Sequence, residues 1–235
     1  MTDAREPLVE PDARILLINV ARIGDTLLTT PVVRAIKAVC PRGRLGCLLH
    51  PRTATLFKGL PCVDHLGTIT PKTAVWRGRF RARHWDCAIV YGRDAPLIRY
   101  AARVAARVVA FRHPDERINR LLWKTVSPPG EALHAVHERL LLTGALGIKA
   151  TGFHLEYRVS PAERDWARGW TQARLPAAAR PLIGLQIASF PTKAYRDWPV
   201  EYFVQLGRKD CGCVPAGILA GAGRRQEQGE GVVVG

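Results

Sequence analysis

Acidic residues are scarce in this chain: 20 Asp and Glu stand against 35 Lys and Arg among 235 residues, a net charge of +15. Such a balance favours polyanionic partners, whether nucleic acid, anionic lipid headgroups, or phosphorylated sugars and nucleotides. Long hydrophobic runs are missing too, and no stretch approaches the roughly 18–20 apolar residues that cross a bilayer. Residues 1–12 are polar and acidic and lack the basic-then-apolar layout of a secretion signal, so a cytoplasmic protein is expected. The six cysteines, at 40, 47, 62, 87, 211 and 213, form no CxxC pair and no Cys/His set with zinc-ligand spacing. That excludes a disulfide-stapled miniprotein, and Cys40, Cys47 and Cys87, in apolar stretches, are expected as buried free thiols. Neither a GxxxxGK(S/T) phosphate loop nor a GxGxxG fingerprint is present.

What is there reads as globular protein, with 47% hydrophobic and 23% charged residues. Residues 14–20, Arg-Ile-Leu-Leu-Ile-Asn-Val, form an almost continuous apolar run, as in a strand buried on both faces of a parallel sheet. A turn over 21–25 leads into a helical pattern with Val32, Val33, Ile36 and Val39 or Cys40 on one face. Further strands are expected at 45–49, 65–69, 86–91 and 107–111, with helices at 53–58, 96–106 and 131–146. This alternation predicts an α/β fold, a doubly wound parallel sheet. Another helix is expected over 161–174, with Ser160 as N-cap and Pro161 in its first position. Residues 175–181 read as a linker, after which strand 182–187, a polar loop and helix 199–209 open a second α/β domain.

From Asp210 onward the pattern stops, with seven glycines in 26 residues and short apolar pieces only at 218–219 and 232–234. A second nucleotide-binding domain needs roughly 100 residues or more, and about 55 follow the linker. The division read from the sequence is therefore 1–174, linker 175–181, 182–209 as the start of an incomplete second domain, and 210–235 as an aberrant or disordered tail. The change of composition fits a premature end or an altered reading frame.

Two segments carry candidate chemistry. The turn after the first strand, Arg22-Ile-Gly-Asp25, lies where open α/β sheets bind ligands. Gly24 allows close backbone approach, and Asp25 stands where a carboxylate takes a proton from a substrate hydroxyl. Asp25 as a helix cap is the competing reading, and the two roles can coexist. Pro31 is awkward in a helix begun at Thr26 and suits one begun with Thr30 as N-cap. The second segment, 188–199, offers Ser189, Thr192, Lys193 and Arg196 ahead of a helix N-terminus, a set suited to a diphosphate. A solvated polar connection with Trp198 packed on the sheet is the alternative there.

Taken in order, these segments resemble glycosyltransferase family 9, the heptosyltransferase family of lipopolysaccharide core assembly. The resemblance runs from Ile15 to Ile36 (ILLINVARIGDTLLTTPVVRAI). It continues through Pro41, the Leu-Leu-His-Pro ending at 51, Pro61–Asp64, Trp85–Ile89, His137-Glu-Arg139 and Leu-Gly147, to the Pro-Thr-Lys and Trp-Pro pieces of 191–199. It implies a GT-B architecture without a cofactor or metal, an acceptor-binding N-terminal domain and a donor-binding C-terminal one. The donor implied is a nucleotide-sugar, typically ADP-heptose, and the acceptor a phosphorylated lipid-linked sugar. Asp25 then matches the family's base, Ser189 or Thr192 and Lys193 or Arg196 its diphosphate contacts, and Arg22 and Gly24 are candidate acceptor contacts. The family's later C-terminal segments have no counterpart after Lys209, which predicts weak donor binding and activity reduced or lost by truncation.

The acid-free stretch 70–85, with Arg77, Arg79, Arg81 and Arg83, reads either as a solvated loop held down by Trp76 and Phe80 or as a peripheral contact with the anionic inner-membrane surface. His134 and His137 match no metal motif, and Trp166 and Trp170 are expected to pack in the core or between domains. A basic nucleic-acid-binding or non-catalytic α/β module is the rival reading. No nucleic-acid partner is expected, because no such motif is present and the charges are scattered.

Overall fold

The computed structural model describes residues 8–78, 83–174, 182–186, 195, 197–211, 217–221 and 232–234. The first strand, β1 (Arg14–Asn19), pairs in parallel with β2 (Arg44–Leu49) on one side and with β4 (Trp85–Tyr91) on the other. With β3 (His65–Thr68), β5 (Ala105–Phe111) and β6 (Lys124–Val126) they form a six-stranded parallel sheet in the order β3-β2-β1-β4-β5-β6. The order reverses between β1 and β4, and doubly wound sheets take their ligands in the crevice outside the carboxyl ends of strands at such a switch point.

The apolar run of β1 is divided between two cores. Ile15 and Leu17 point to one face and pack with Val32, Val33 and Ile36 of α2 (Thr30–Val39) and Leu142 of α6 (Ala135–Gly144). Leu16 and Ile18 point to the other and pack with Leu97, Ile98, Ala101 and Val104 of α4 (Ala95–Val104) and Ala74 of α3 (Pro71–Trp76). Each such aliphatic side chain contributes about 1.5–3 kcal/mol by leaving water, so both faces of the central strand are committed. Cys40, Cys47 and Cys87 are free and buried, as their apolar surroundings suggested.

The helix after β1 is broken in two. A turn of helix, α1 (Ile23–Leu27), precedes α2, whose N-cap is Thr29 rather than Thr30. Pro31 has no N–H for the carbonyl of Leu27, and the Thr30 hydroxyl donates to that carbonyl instead (2.9 Å). The Thr29 hydroxyl donates likewise to the carbonyl of Thr26 (2.6 Å). Three further elements were not read from the sequence: α3, begun by a reciprocal Thr70/Thr73 capping box, α5 (Glu116–Asn119) and the short strand β6.

The chain divides into two compact units, Met1–Arg158 and Val159–Gly235. Helix α7 (Pro161–Arg174) falls in the second unit, beyond Arg158. Its start is a capping box, in which Ser160 Oγ accepts from the Glu163 N–H (3.2 Å) and Glu163 Oε2 accepts from the Ser160 N–H (2.7 Å). The second unit also holds α8 (Val200–Cys211) and a small sheet. In it β7 (Leu182–Gln186) pairs in parallel with β8 (Gly217–Gly221), and β8 pairs antiparallel with β9 (Val232–Val234). The apolar pieces at 218–219 and 232–234 thus lie on paired strands.

Several aromatic residues sit differently from their sequence reading. Trp76 is 71% exposed rather than tucked under the arginine-rich stretch, and Trp166 is 69% exposed, its ring tilted against Trp170 with centroids 6.4 Å apart. Trp198 stacks on Tyr202 and meets Phe203 edge-on, both residues of α8, and is nearly half exposed.

Candidate functional site at the switch point

Asn19 closes β1 and is paired in register with Tyr91, which closes β4. A polar side chain ending a buried strand needs partners, and Asn19 finds them in the next turn. Its Nδ2 donates to the carbonyl of Asp25 (3.4 Å) and to Thr29 Oγ1 (3.5 Å), tying the α1 segment down over the strand end. The Thr26 hydroxyl donates to the Arg22 carbonyl (2.9 Å), closing the same turn.

On this fixed turn Asp25 sits in the first turn of α1, and its side chain caps nothing. The α1 N-cap, Arg22, has no side-chain cap, and neither does Thr29. The capping reading of Asp25 is therefore corrected. Its carboxylate instead receives Arg139 Nη2 on Oδ1 at 3.2 Å. The Asp25 side chain is 47% exposed, whereas that of Arg139 is only 16% exposed. Oδ2 has no partner among the described residues. Arg22 and Gly24 are exposed beside it, and a Cβ on Gly24 would meet nothing within 4 Å. The backbone at Gly24 is open to an approaching group, and no positive φ requires glycine there.

Arg139 comes from α6 and reaches the site through Tyr91. The Tyr91 hydroxyl donates to the carbonyl of Arg139 (2.7 Å), and the guanidinium lies 5.5 Å from the centre of the Tyr91 ring. Burial pushes the Tyr91 phenol well up despite the nearby guanidinium, so it stays a neutral donor. The Nε of Arg139 is buried and has no hydrogen-bond partner among the described residues.

Of the sequence candidates, Asp25, Arg22 and Gly24 thus lie together at the switch point. Ser189, Thr192, Lys193 and Arg196 fall outside the described residues, as do Arg79, Arg81 and Phe80. Arg139 and Asn19 were not singled out as site residues. The available signals were the His137-Glu-Arg139 match and the single amide in an otherwise apolar strand. His134 caps α6, with Nδ1 accepting from the Val136 N–H (3.3 Å), and His137 stacks on Phe153 at 4.6 Å, so both have structural work. Among the described residues no three His, Cys, Asp or Glu side chains gather as a metal site. No described helix is long and apolar enough to cross a membrane. Two cavities, of about 460 and 510 Å³, lie elsewhere, one lined by β3, Trp85 and Tyr100, the other by Leu8, Glu10, Asp12, Arg14 and Asp86 among others. The ledge at Asp25 belongs to neither.

No family model and no curated protein matches the chain. Solved structures do. The structure is similar to a family 9 glycosyltransferase from Veillonella parvula, with a TM-score of 0.75 and 16% identity over 90% of this chain and 63% of that one. It is also similar to the ADP-heptose lipopolysaccharide heptosyltransferase II of E. coli, with a TM-score of 0.61 and 16% identity over 88% of this chain and 63% of that one. The E. coli heptosyltransferase WaaC with ADP-2-deoxy-2-fluoro heptose gives 0.61 and 16%, over 91% and 70%. At this identity the likeness shows the fold, the α/β architecture of the GT-B neighbours. The chain spans about 63% of the length of the first two.

Proposed function

We propose that this chain carries the acceptor side of a glycosyltransferase that moves a heptose or related sugar from a nucleotide-sugar to a phosphorylated lipid-linked sugar of the lipopolysaccharide core. The observation that supports it is the half-exposed Asp25 carboxylate at the β1–β4 switch point, on a turn anchored by Asn19 and open at Gly24. Solved neighbours with ADP or an ADP-sugar bound support the nucleotide-sugar class of donor. Arg22 and Gly24 are the proposed acceptor contacts. Ser189, Thr192, Lys193 and Arg196 are the proposed diphosphate contacts, on sequence grounds.

The reaction is a single inverting displacement. The acceptor hydroxyl oxygen attacks the anomeric carbon as Asp25 takes its proton, and the bond from that carbon to the diphosphate breaks. The nucleoside diphosphate leaves with the bonding electron pair, stabilised by cations and oriented N–H donors. A positioned general base contributes about 10²–10⁴-fold, so Asp25→Asn should lower turnover of ADP-heptose onto a phosphorylated core acceptor by that factor. Release of ADP and the mass gain of the acceptor are the readouts. Transfer by the Asn variant at the unsubstituted rate would overturn the reading. The proposed location is cytoplasmic, at the inner face of the membrane where such acceptors are exposed.

A further inference from the structure

The base of the proposed reaction is borne on a short helical turn and is half exposed, a setting in which a carboxylate ordinarily samples several rotamers. Here one of its oxygens is engaged by a guanidinium that is itself mostly buried. The arginine has little freedom. Its backbone carbonyl is tied to Tyr91, a side chain 2% exposed at the end of β4, and its guanidinium lies over that same ring. A continuous path therefore leads from the rigid end of β4, through Tyr91 and Arg139, to Oδ1 of Asp25. The neighbouring strand end anchors the backbone of the same residue through Asn19.

The arrangement is not the one stability alone would select. Arg139 keeps its Nε buried without a hydrogen-bond partner among the described residues, and an unsatisfied buried donor is costly. A guanidinium turned to satisfy its own donors would avoid that cost, whereas this one is aimed at a carboxylate that is half in water. An ion pair of that kind contributes little to stability, but it restricts the carboxylate to one orientation. With Oδ1 held by Arg139, Oδ2 is left unpartnered among the described residues, on a ledge where Gly24 adds no side chain.

From this geometry we infer that Arg139 is a positioning residue for Asp25: it holds Oδ1 so that Oδ2 is directed to the acceptor hydroxyl before substrate arrives. The inference rests on Asp25 being the base, and it assigns Arg139 no contact with substrate. Such pre-orientation is worth having, since a misplacement of about 1 Å can cost about 10²-fold in rate.

The test reads side-chain order directly, in the intact chain without substrate. Three-bond couplings to the labelled Asp25 carboxyl carbon report its χ1. The unsubstituted protein is expected to show the couplings of one staggered rotamer. Arg139→Gln should shift them to rotamer-averaged values, and Arg139→Lys, which keeps the charge without the planar fork, should restore them in part. Amide shifts of β1 and β4 should stay in place. Averaged couplings in the unsubstituted protein, or unchanged ones in either variant, would overturn the inference. The unsubstituted measurement decides even where Arg139→Gln fails to fold. In turnover, Arg139→Gln should lower kcat by up to about 10²-fold with little change in the donor KM. It should cost nothing further in an Asp25→Asn background, since the two act as one unit. Equal losses in both backgrounds would also overturn it. An ordered Asp25 together with full transfer by Asp25→Asn would sink the proposed function and leave the Arg139–Asp25 contact as an ordered ion pair alone.

Discussion

At the scale of single residues, environment separates groups that composition leaves alike. Four of the cysteines show this. Burial pushes the Cys47 thiol far up and the Cys87 thiol up to about 12, and it raises Cys40 and the partly exposed Cys62 as well. For Cys62, Arg34 and Lys37 pull back against burial and against Glu156. Access then decides reactivity, because the thiolate must both form and be reached. Of these four, Cys62 is expected to take an alkylating reagent first under native conditions, mapped by peptide mass spectrometry. Modification of Cys47 or Cys87 before Cys62 would contradict the packing described for the core. Asp25 differs from Asp64 and Asp86 in the same manner. Asp86 has both oxygens engaged by Arg14, and Asp64 is held on Oδ2 by Lys37 and the Leu45 N–H, all contacts at strand starts, whereas Asp25 receives a single side-chain contact, from Arg139, at the carboxyl end of the sheet.

At the scale of elements, close approach of backbone explains which glycines matter. Gly43 lies in the turn between α2 and β2, and its N–H donates to the carbonyls of Pro11 (3.0 Å) and Cys40 (3.2 Å). A Cβ there would lie 2.2 Å from the Ala13 carbonyl oxygen, a backbone atom that cannot swing away. Gly43→Ala is therefore expected to destabilise the first unit by about 1–3 kcal/mol, read as a lowered urea midpoint. Gly24→Ala, which meets open space, should leave that midpoint nearly unchanged. The extended segment after α6 is fastened to α2 in its turn. Arg34 Nη2 donates to the His154 carbonyl (2.7 Å), and the Glu156 N–H donates to Thr30 Oγ1 (3.0 Å). One threonine thus ends the α1–α2 break and holds a chain segment 126 residues away.

Across the whole molecule, a few carboxylates link the strand starts, and they make stability depend on acid. For Asp86 the hydrogen bond from the Arg14 side chain, against some burial, holds the carboxyl below its ordinary value of 3.8. The Arg14 N–H also donates to it at 2.7 Å, joining β1 to β4. For Asp64 burial works to raise the value, and the Lys37 side chain and the Leu45 N–H outweigh it, so it too is lowered from 3.8. A carboxyl lowered in the folded state stabilises it above the unfolded pKa, and that contribution is lost as pH falls through the folded one. Stability should therefore be level near neutrality and decline below 3.8. Urea midpoints at neutral pH and near pH 3 check it, and Asp86→Asn should flatten part of the decline. An unchanged acid decline in the variant would remove Asp86 from the account.

Much of the fold was legible because it rests on local periodicity. The continuous apolar run of β1 required a strand buried on both faces, and it divides its side chains between two cores as such a strand must. The α2 face with Val32, Val33 and Ile36 was readable for the same reason. Short elements escaped: β6 has three residues and α1 five, too few for a period, and both are held by their neighbours. At the site, the sequence by itself determined that Gly24 and Asp25 follow the first strand, since the order of elements places that turn at the carboxyl end of the sheet. Only the tertiary structure decided whether Asp25 caps a helix or keeps an oxygen available. The deciding partner, Arg139, lies 114 residues further on, and it is brought to Asp25 by the packing of α6 against the sheet and by the Tyr91 hydroxyl. No local pattern encodes a meeting of that span; it exists only once the strands have paired.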